Sequence, residues 1–370
     1  MVSAQANNAL NLTAQERRPW VPVALRAPAL AACQSLDARW KVKVTNVRTR
    51  LLLVAIALGA ITLAANPAVA DSPTMSRIGV LLPQILASPA EAGLREGLRE
   101  QGYVEGQNIV IEWRRIGNSV EDATPHAIEL VRSKPELILA LATSSARAVM
   151  QATRTIPIVF LSGDPVATGL AASLARPGAN ATGVSAATPQ LTAKRLELVH
   201  QLVPRARRVA FLTNPSNAVL PAQFAEAQKA AHEFGLQLKT FDARNTADLD
   251  AALRALKRDA PQAILVASDL GLLTEKAKIA SAIRKARIPA VFPWKEYHED
   301  GVLMSYGPDL KDTLRRTASY VAKILKGAKP GDLPVEEVSK FDLVIDLRVA
   351  RELKLEVPQS LLLRANEVIQ

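Results

Sequence analysis

Residues 77–102 read RIGVLLPQILASPAEAGLREGLREQG, and the class of fold is decided here. Residues 78–82 form a short apolar run, and 91–101 place Leu94 and Leu98 four apart on one helical face before Gly102 stops the helix. The same unit, a strand followed by an amphipathic helix, recurs along the chain, which argues for an α/β protein with parallel sheets. A first block continues with strands at 109–113, 137–142, 158–161 and around 181–185, and with helices around 127–131 and at 145–152. After an amphipathic helix at 191–202, a second block has strands at 209–212, 236–241, 263–267 and 290–292, separated by helices at 222–234, 247–258 and 275–286.

Two similar α/β blocks leave a cleft between them, and in open α/β sheets ligands sit beyond the carboxyl ends of strands. The residues there are small and polar: Pro83-Gln84, Thr143-Ser144-Ser145, Ser162-Gly163-Asp164-Pro165, Thr213-Asn214-Pro215 and Ser268-Asp269. Thr143 and Ser144 also begin a helix, where hydroxyls cap free amides and an anion such as a carboxylate is favoured. Any one of these residues is explained as readily by capping; the collective pattern carries the expectation of a binding cleft.

The first 70 residues need separate treatment. Residues 51–70, LLLVAIALGAITLAANPAVA, are uncharged, follow a basic stretch and end in Ala68-Val69-Ala70, the order of an export signal. The strongly apolar part spans about 15 residues, short of the roughly 20 that cross a bilayer. Residues 1–50 are then an extended N-terminal segment, with 1–43 read as an over-extended start and a disordered tail as the competing view. The whole chain carries 46 Lys and Arg against 35 Asp and Glu, a formal charge of +11, with one cysteine. Eight of those basic residues and two of the acidic ones lie in 1–70, leaving 38 against 33, or +5, from residue 71 onward. Cys33 also lies in that leader, so the exported part has no thiol for a disulfide or a nucleophile.

Other chemistries find no support. There is no GxxxxGK[ST] loop, no GxGxxG after a strand and no GxSxG elbow. His126, His200, His232 and His298 are scattered without metal-ligand spacing. The basic clusters at 205–208, 284–287 and 315–316 lack interleaved aromatics and a helix-turn-helix pattern, so nucleic acid is not expected as a partner. No catalytic residue, metal or cofactor is expected.

Several long stretches together resemble the ABC transporter substrate-binding proteins of the type that includes tryptophan- and tyrosine-binding members. They are GLREGLREQGYVEGQNIVIEWR at 93–114, IPIVFLSGDPVATGLAASLARPGANATGVS at 156–185, KRLELVHQLVPRARRVAFLTNP at 194–215, GVLMSYGPDL at 301–310 and the segment 324–369. The resemblance implies a periplasmic-binding-protein-like I fold, two Rossmann-like lobes joined by crossing strands, built from 71–188 with 301–333 and from 189–300 with 334–370. It implies a periplasmic, monomeric protein that captures a small-molecule ligand, an amino acid or related organic anion, and passes it to an ABC permease in the inner membrane. A ligand-sensing module for a membrane receptor or kinase is the alternative. Ligand-binding residues are expected at Gln84, Thr143, Ser144, Asp164, Thr182, Gly183, Asp269 and Tyr306. Asp164 would take an ammonium group, Thr182-Gly183 would stand where the chain crosses between lobes, Asp269 would add an acid from the opposite lobe and Tyr306 an aromatic wall. The chain departs from the family at Ala142-Thr143-Ser144 and at Asn180-Ala181-Thr182-Gly183, and 84–89 contains no aromatic to stack on a ligand ring, which counts against an aromatic amino acid.

Overall fold

The computed structural model describes residues 75–117 and 120–370. The readings of 1–50 and 51–70 lie outside the described residues. Among the described residues, no helix is long and apolar enough to cross a membrane.

The first sheet contains β1 (Ser76–Pro83), β2 (Ile109–Ile116), β3 (Leu137–Leu141), β4 (Ile158–Ser162), β5 (Ala181–Ser185) and β11 (Glu336–Glu337), in the order β11-β5-β4-β3-β1-β2. Every pairing in it is parallel. Strands β3, β4 and β5 are buried throughout, because helices α1 (Ala87–Glu100), α2 (Val120–Arg132), α3 (Thr143–Ala152) and α9 (Leu310–Leu325) cover the sheet. This accounts for their near-continuous apolar runs.

The second sheet contains β6 (Arg208–Thr213), β7 (Gln237–Asp242), β8 (Ala263–Val266), β9 (Ala290–Phe292), β10 (Met304–Pro308), β12 (Phe341–Asp346) and β13 (Glu367–Ile369), in the order β13-β12-β10-β9-β8-β6-β7. Only the β10–β12 pairing is antiparallel. Helices α4 (Thr188–Leu202), α5 (Leu220–Glu233), α6 (Thr246–Asp259), α7 (Leu270–Thr274) and α8 (Lys276–Ala286) belong to this lobe, followed by the short α10 (Leu347–Leu353) and α11 (Gln359–Leu362).

The chain passes between the lobes three times: from β5 to α4 through Ala186 and Ala187, from β10 to α9 through Asp309, and from β11 to β12 through 338–340. Two lobe boundaries therefore differ from those read in the sequence. Residues 304–308 were expected in the first lobe, but β10 is hydrogen-bonded to β9 and β12 in the second. Residues 336–337 were expected in the second lobe, but β11 adds to the edge of β5 in the first. Apolarity alone does not say which sheet a strand joins.

Lys295, in the 3-10 turn Lys295–Asp300, pairs with Asp309 at the second crossing and lies 3.9 Å from Asp342 beside the third. The second crossing is anchored on its far side by α9, which lies directly on α1. A Cβ at Gly97 would stand 2.1 Å from the Arg315 carbonyl oxygen and one at Gly93 would stand 2.4 Å from that of Lys311, so the two glycines permit the close approach. Gly97→Ala forces the helices apart and is expected to cost about 1–3 kcal/mol, read as a fall of several degrees in the thermal midpoint; an unchanged midpoint would show that the contact is looser than described.

His298 sits in the same 3-10 turn, with Nε2 3.0 Å from the Ser305 hydroxyl of β10. Burial pushes its imidazole down to about 4, against a smaller opposing pull from Asp346. The unfolded chain binds a proton near 6.5 and the folded one does not. Stability from this group is thus present above pH 6.5 and lost as pH falls toward 4, by something on the order of 2–3 kcal/mol. In His298→Gln, the stability lost between pH 7 and pH 4.5 in urea titrations is expected to be smaller than in wild type; equal losses would remove His298 from the account.

Candidate functional site

The strand order in each sheet reverses beside its first strand, at β1/β3 in one lobe and β6/β8 in the other. Loops leaving such neighbouring strands diverge to opposite faces of the sheet and open a crevice at the carboxyl edge. Here the two crevices face one another and form a single cleft of about 710 Å³. From the first lobe come Leu86 after β1, Thr143, Ser144 and Arg147 after β3, and Ser162 and Gly163 at the end of β4. From the second come Asn214, Ser216 and Asn217 after β6, Arg244 and Asn245 after β7, Ser268 and Asp269 after β8, and Trp294 after β9. The lobes touch at the turn Gln84–Leu86, which meets α7.

On the first-lobe wall, the Thr143 and Ser162 hydroxyls are 2.9 Å apart and tie the ends of β3 and β4 together. Helix α3 starts at Thr143 without a side-chain cap, so its leading amides are open to an acceptor. Ala142 before it is held at φ +85°, a conformation that side chains rarely adopt.

The second-lobe floor is organised around Asp269, which is 7% exposed. One carboxylate oxygen accepts from the Leu272 amide at 2.9 Å and from Asn214 Nδ2 at 3.2 Å, and the other accepts from Asn217 Nδ2 at 2.9 Å. Burial pushes its carboxyl above the usual range, and these donors pull in the opposite direction. A proton would have no acceptor among those partners, so the ionised form fits the site.

Beneath the floor lies Arg195 of α4, 1% exposed and with no acid paired to it among the described residues. Its Nε donates to the Tyr306 carbonyl at 2.9 Å and its Nη2 to the Ser268 hydroxyl at 2.8 Å. Burial lowers the guanidinium to about 9. Gln223 completes the layer, accepting from the Ser268 amide and donating to the Ser268 carbonyl, at 3.0 and 3.1 Å. Ser268 is thus held from three sides, which fixes the direction in which Asp269 leaves β8.

Of the expected ligand-binding residues, the structure brings Thr143, Ser144 and Asp269 together on the cleft. Gln84 is exposed and outside its lining. Asp164 also stands outside: one carboxylate oxygen accepts from the Val166 and Ala167 amides at 3.1 and 2.9 Å, so it caps the turn that follows β4. Thr182 and Gly183 lie in the middle of β5, short of the crossing, with the Thr182 hydroxyl donating to the Leu333 carbonyl at 2.7 Å. The Tyr306 ring packs against Phe341 with centroids 5.8 Å apart, away from the cleft, because β10 pairs within the second sheet. Trp113 is on β2 beneath Arg95, also away from the cleft. Arg147, Asn217, Arg244 and Asn245 are lining residues that the sequence reading did not single out, and Trp294, equally suited on sequence to packing or to ligand stacking, also reaches the lining. The rule that led to Ser268-Asp269 reaches Asn245 and Trp294 once the ends of β7 and β9 are known.

Two α/β lobes, three crossings and one polar cleft at the carboxyl edges of both sheets define a two-lobed ligand-binding protein. The sequence profile of the ABC transporter substrate binding protein family matches residues 85–369, and the chain belongs to that family. Its members bind ligands and are not enzymes. The chain is 26% identical over 284 residues to a tyrosine-binding protein of Clostridioides difficile, covering 75% of this chain and 80% of that one. It is also similar to the ABC domain from Streptococcus pneumonia solved in complex with L-Trp, at 28% identity and a TM-score of 0.75, over 80% of this chain and 99% of the other. A leucine-binding protein from Thermotoga maritima, at 18% identity and a TM-score of 0.54 over 68% of this chain and 83% of that one, shares the periplasmic-binding-protein-like I fold.

The donor set around Asp269 gives a direct test. Asn is as good a helix cap as Asp, so capping alone predicts a neutral Asp269→Asn. Asn217, however, is held by Ser268 and Val219 with its N–H groups toward residue 269. An amide there faces donors, and the variant is expected to lose about 1–3 kcal/mol in chemical denaturation; wild-type stability would contradict the arrangement.

Proposed function

We propose that this protein is the extracytoplasmic solute-binding component of an ABC importer, which captures an amino acid or related organic anion by closing its lobes and delivers it to the membrane permease. The observation that carries the proposal is the single cleft to which the carboxyl ends of both sheets contribute polar side chains. Membership of the substrate-binding family supports the transport role, and the names of the two relatives above support an amino acid as the ligand.

The chemistry suits a zwitterion. The open amides at the start of α3, with the Thr143 and Ser144 hydroxyls, suit a carboxylate. Asp269 in the opposite lobe suits an ammonium group. A ligand touching both walls favours the closed arrangement, since only that arrangement satisfies both sets of contacts, and closure is then a shift of population. The partner would be the permease, the ligand a small molecule, and the unit in solution a monomer.

Titration calorimetry with amino acids and small carboxylates, combined with small-angle scattering, tests this reading. Saturable binding of an amino acid with a decrease in radius of gyration is expected. Binding without compaction would refute lobe closure, and no binding by any amino acid or carboxylate would refute the ligand class. Thr143→Val is expected to weaken binding at least tenfold, whereas Asp164→Ala, which removes only a turn cap, is expected to leave affinity within about threefold.

A further inference from the structure

The lining of the cleft also bears on which amino acids fit. We infer that it selects amino acids whose side chains carry hydrogen-bonding groups over aromatic and aliphatic ones. The inference rests on the amino-acid reading proposed above, and it sets this chain apart from the relatives named for tyrosine and solved with tryptophan.

An aromatic ligand ring is recognised through a large flat contact, supplied most effectively by other aromatic rings. Trp294 is the single aromatic residue on the cleft among the described residues. It is 9% exposed and belongs to the core, and a Cβ at Gly307 would already come within 3.5 Å of its Cδ1. Little of its ring area is thus left for a ligand. Other large rings are committed elsewhere: Phe160, Phe211 and Phe292 in the sheets and Tyr297 in the 3-10 turn are at most 1% exposed, Phe241 is buried, Trp113 lies beneath Arg95, and Tyr306 packs on Phe341. The turn after β1 supplies Leu86 at this edge and no ring.

Polar capacity is abundant instead, and part of it is unused within the protein. The hydroxyls of Thr188 and Ser216, both of the second lobe, take no partner among the described residues. Arg147 spends one guanidinium nitrogen on the Thr168 carbonyl at 3.2 Å, leaving its other N–H groups for the cleft. Arg244 stands in the opposite lobe, 3.6 Å from a half-buried Asp248. In an open cleft, water satisfies these groups. Closure on an indole or an aliphatic chain buries apolar area against Leu86, Leu161 and Leu270 but removes that water without pairing these groups, and polar groups left unpaired on burial discriminate strongly against such ligands. Closure on a carboxamide, guanidinium, ammonium or carboxylate side chain replaces the lost bonds.

The test is calorimetric titration of the purified protein with each of the twenty L-amino acids at fixed pH and salt. At least one of glutamine, asparagine, arginine, lysine, glutamate and aspartate is expected to bind at least tenfold more tightly than tryptophan, tyrosine, phenylalanine or leucine. In the doubly substituted Thr188→Ala, Ser216→Ala protein, that preference is expected to shrink at least fivefold, with circular dichroism confirming the fold. An aromatic or aliphatic amino acid bound as tightly as every polar one overturns the inference and leaves the amino-acid reading intact. Binding by none of the twenty overturns both.

Discussion

Strand β10 is fixed on one side by parallel pairing to β9 and on the other by antiparallel pairing to β12, and one residue beyond its end the chain enters a helix of the other lobe. The lobes can move relative to one another only by rotation at Asp309, at Ala186-Ala187 and at 338–340. These three points are adjacent: the Val338 amide donates to the Ser185 carbonyl at 2.9 Å, and Lys295 reaches both Asp309 and Asp342. A narrow band of crossings leaves hinge bending as the cheap motion, while the two cores resist deformation because they are packed to near-crystal density.

The same strand reaches the cleft floor through Arg195. A buried guanidinium without a paired acid is costly, yet it joins the Tyr306 carbonyl, two residues before the end of β10, to the Ser268 hydroxyl beside Asp269. Asp269 is therefore oriented by the frame that carries the second crossing. The first-lobe wall is simpler, with the start of α3 and the hydroxyl pair Thr143–Ser162 set by the ends of two parallel strands.

The alternation of strands and helices was readable because parallel strands are buried on both faces and their helices on one. Every strand read in the two blocks is present, with ends displaced by a few residues. The last 70 residues were harder: β11 has two residues and β13 three, too short for a periodicity, and their places depend on pairing with distant strands. The rule that ligands lie past strand ends reached Thr143, Ser144 and Asp269. Asp164 is also past a strand end yet stands off the cleft lining; Asp164 and Asp269 both accept backbone amides, and only their places relative to the cleft separate them. Thr182, Gly183 and Tyr306 were singled out from local signals, yet the first two are buried in β5 and the third faces Phe341. Arg195 gave no sign at all, since a single arginine on an amphipathic helix is ordinarily solvated.

The central claim is that the lobes are rigid bodies that close on a ligand about the three crossings. From residue 71 onward the chain has no cysteine, so with Cys33→Ser, spin labels can be placed singly at exposed Lys134 in the first lobe and Lys257 in the second. The distance between them, measured by double electron–electron resonance with and without a saturating amino acid, is expected to shift as a whole to a new, narrow distribution. Two labels within one lobe are expected to keep their distance. An inter-lobe distribution unchanged by a ligand that calorimetry shows to be bound would contradict the account.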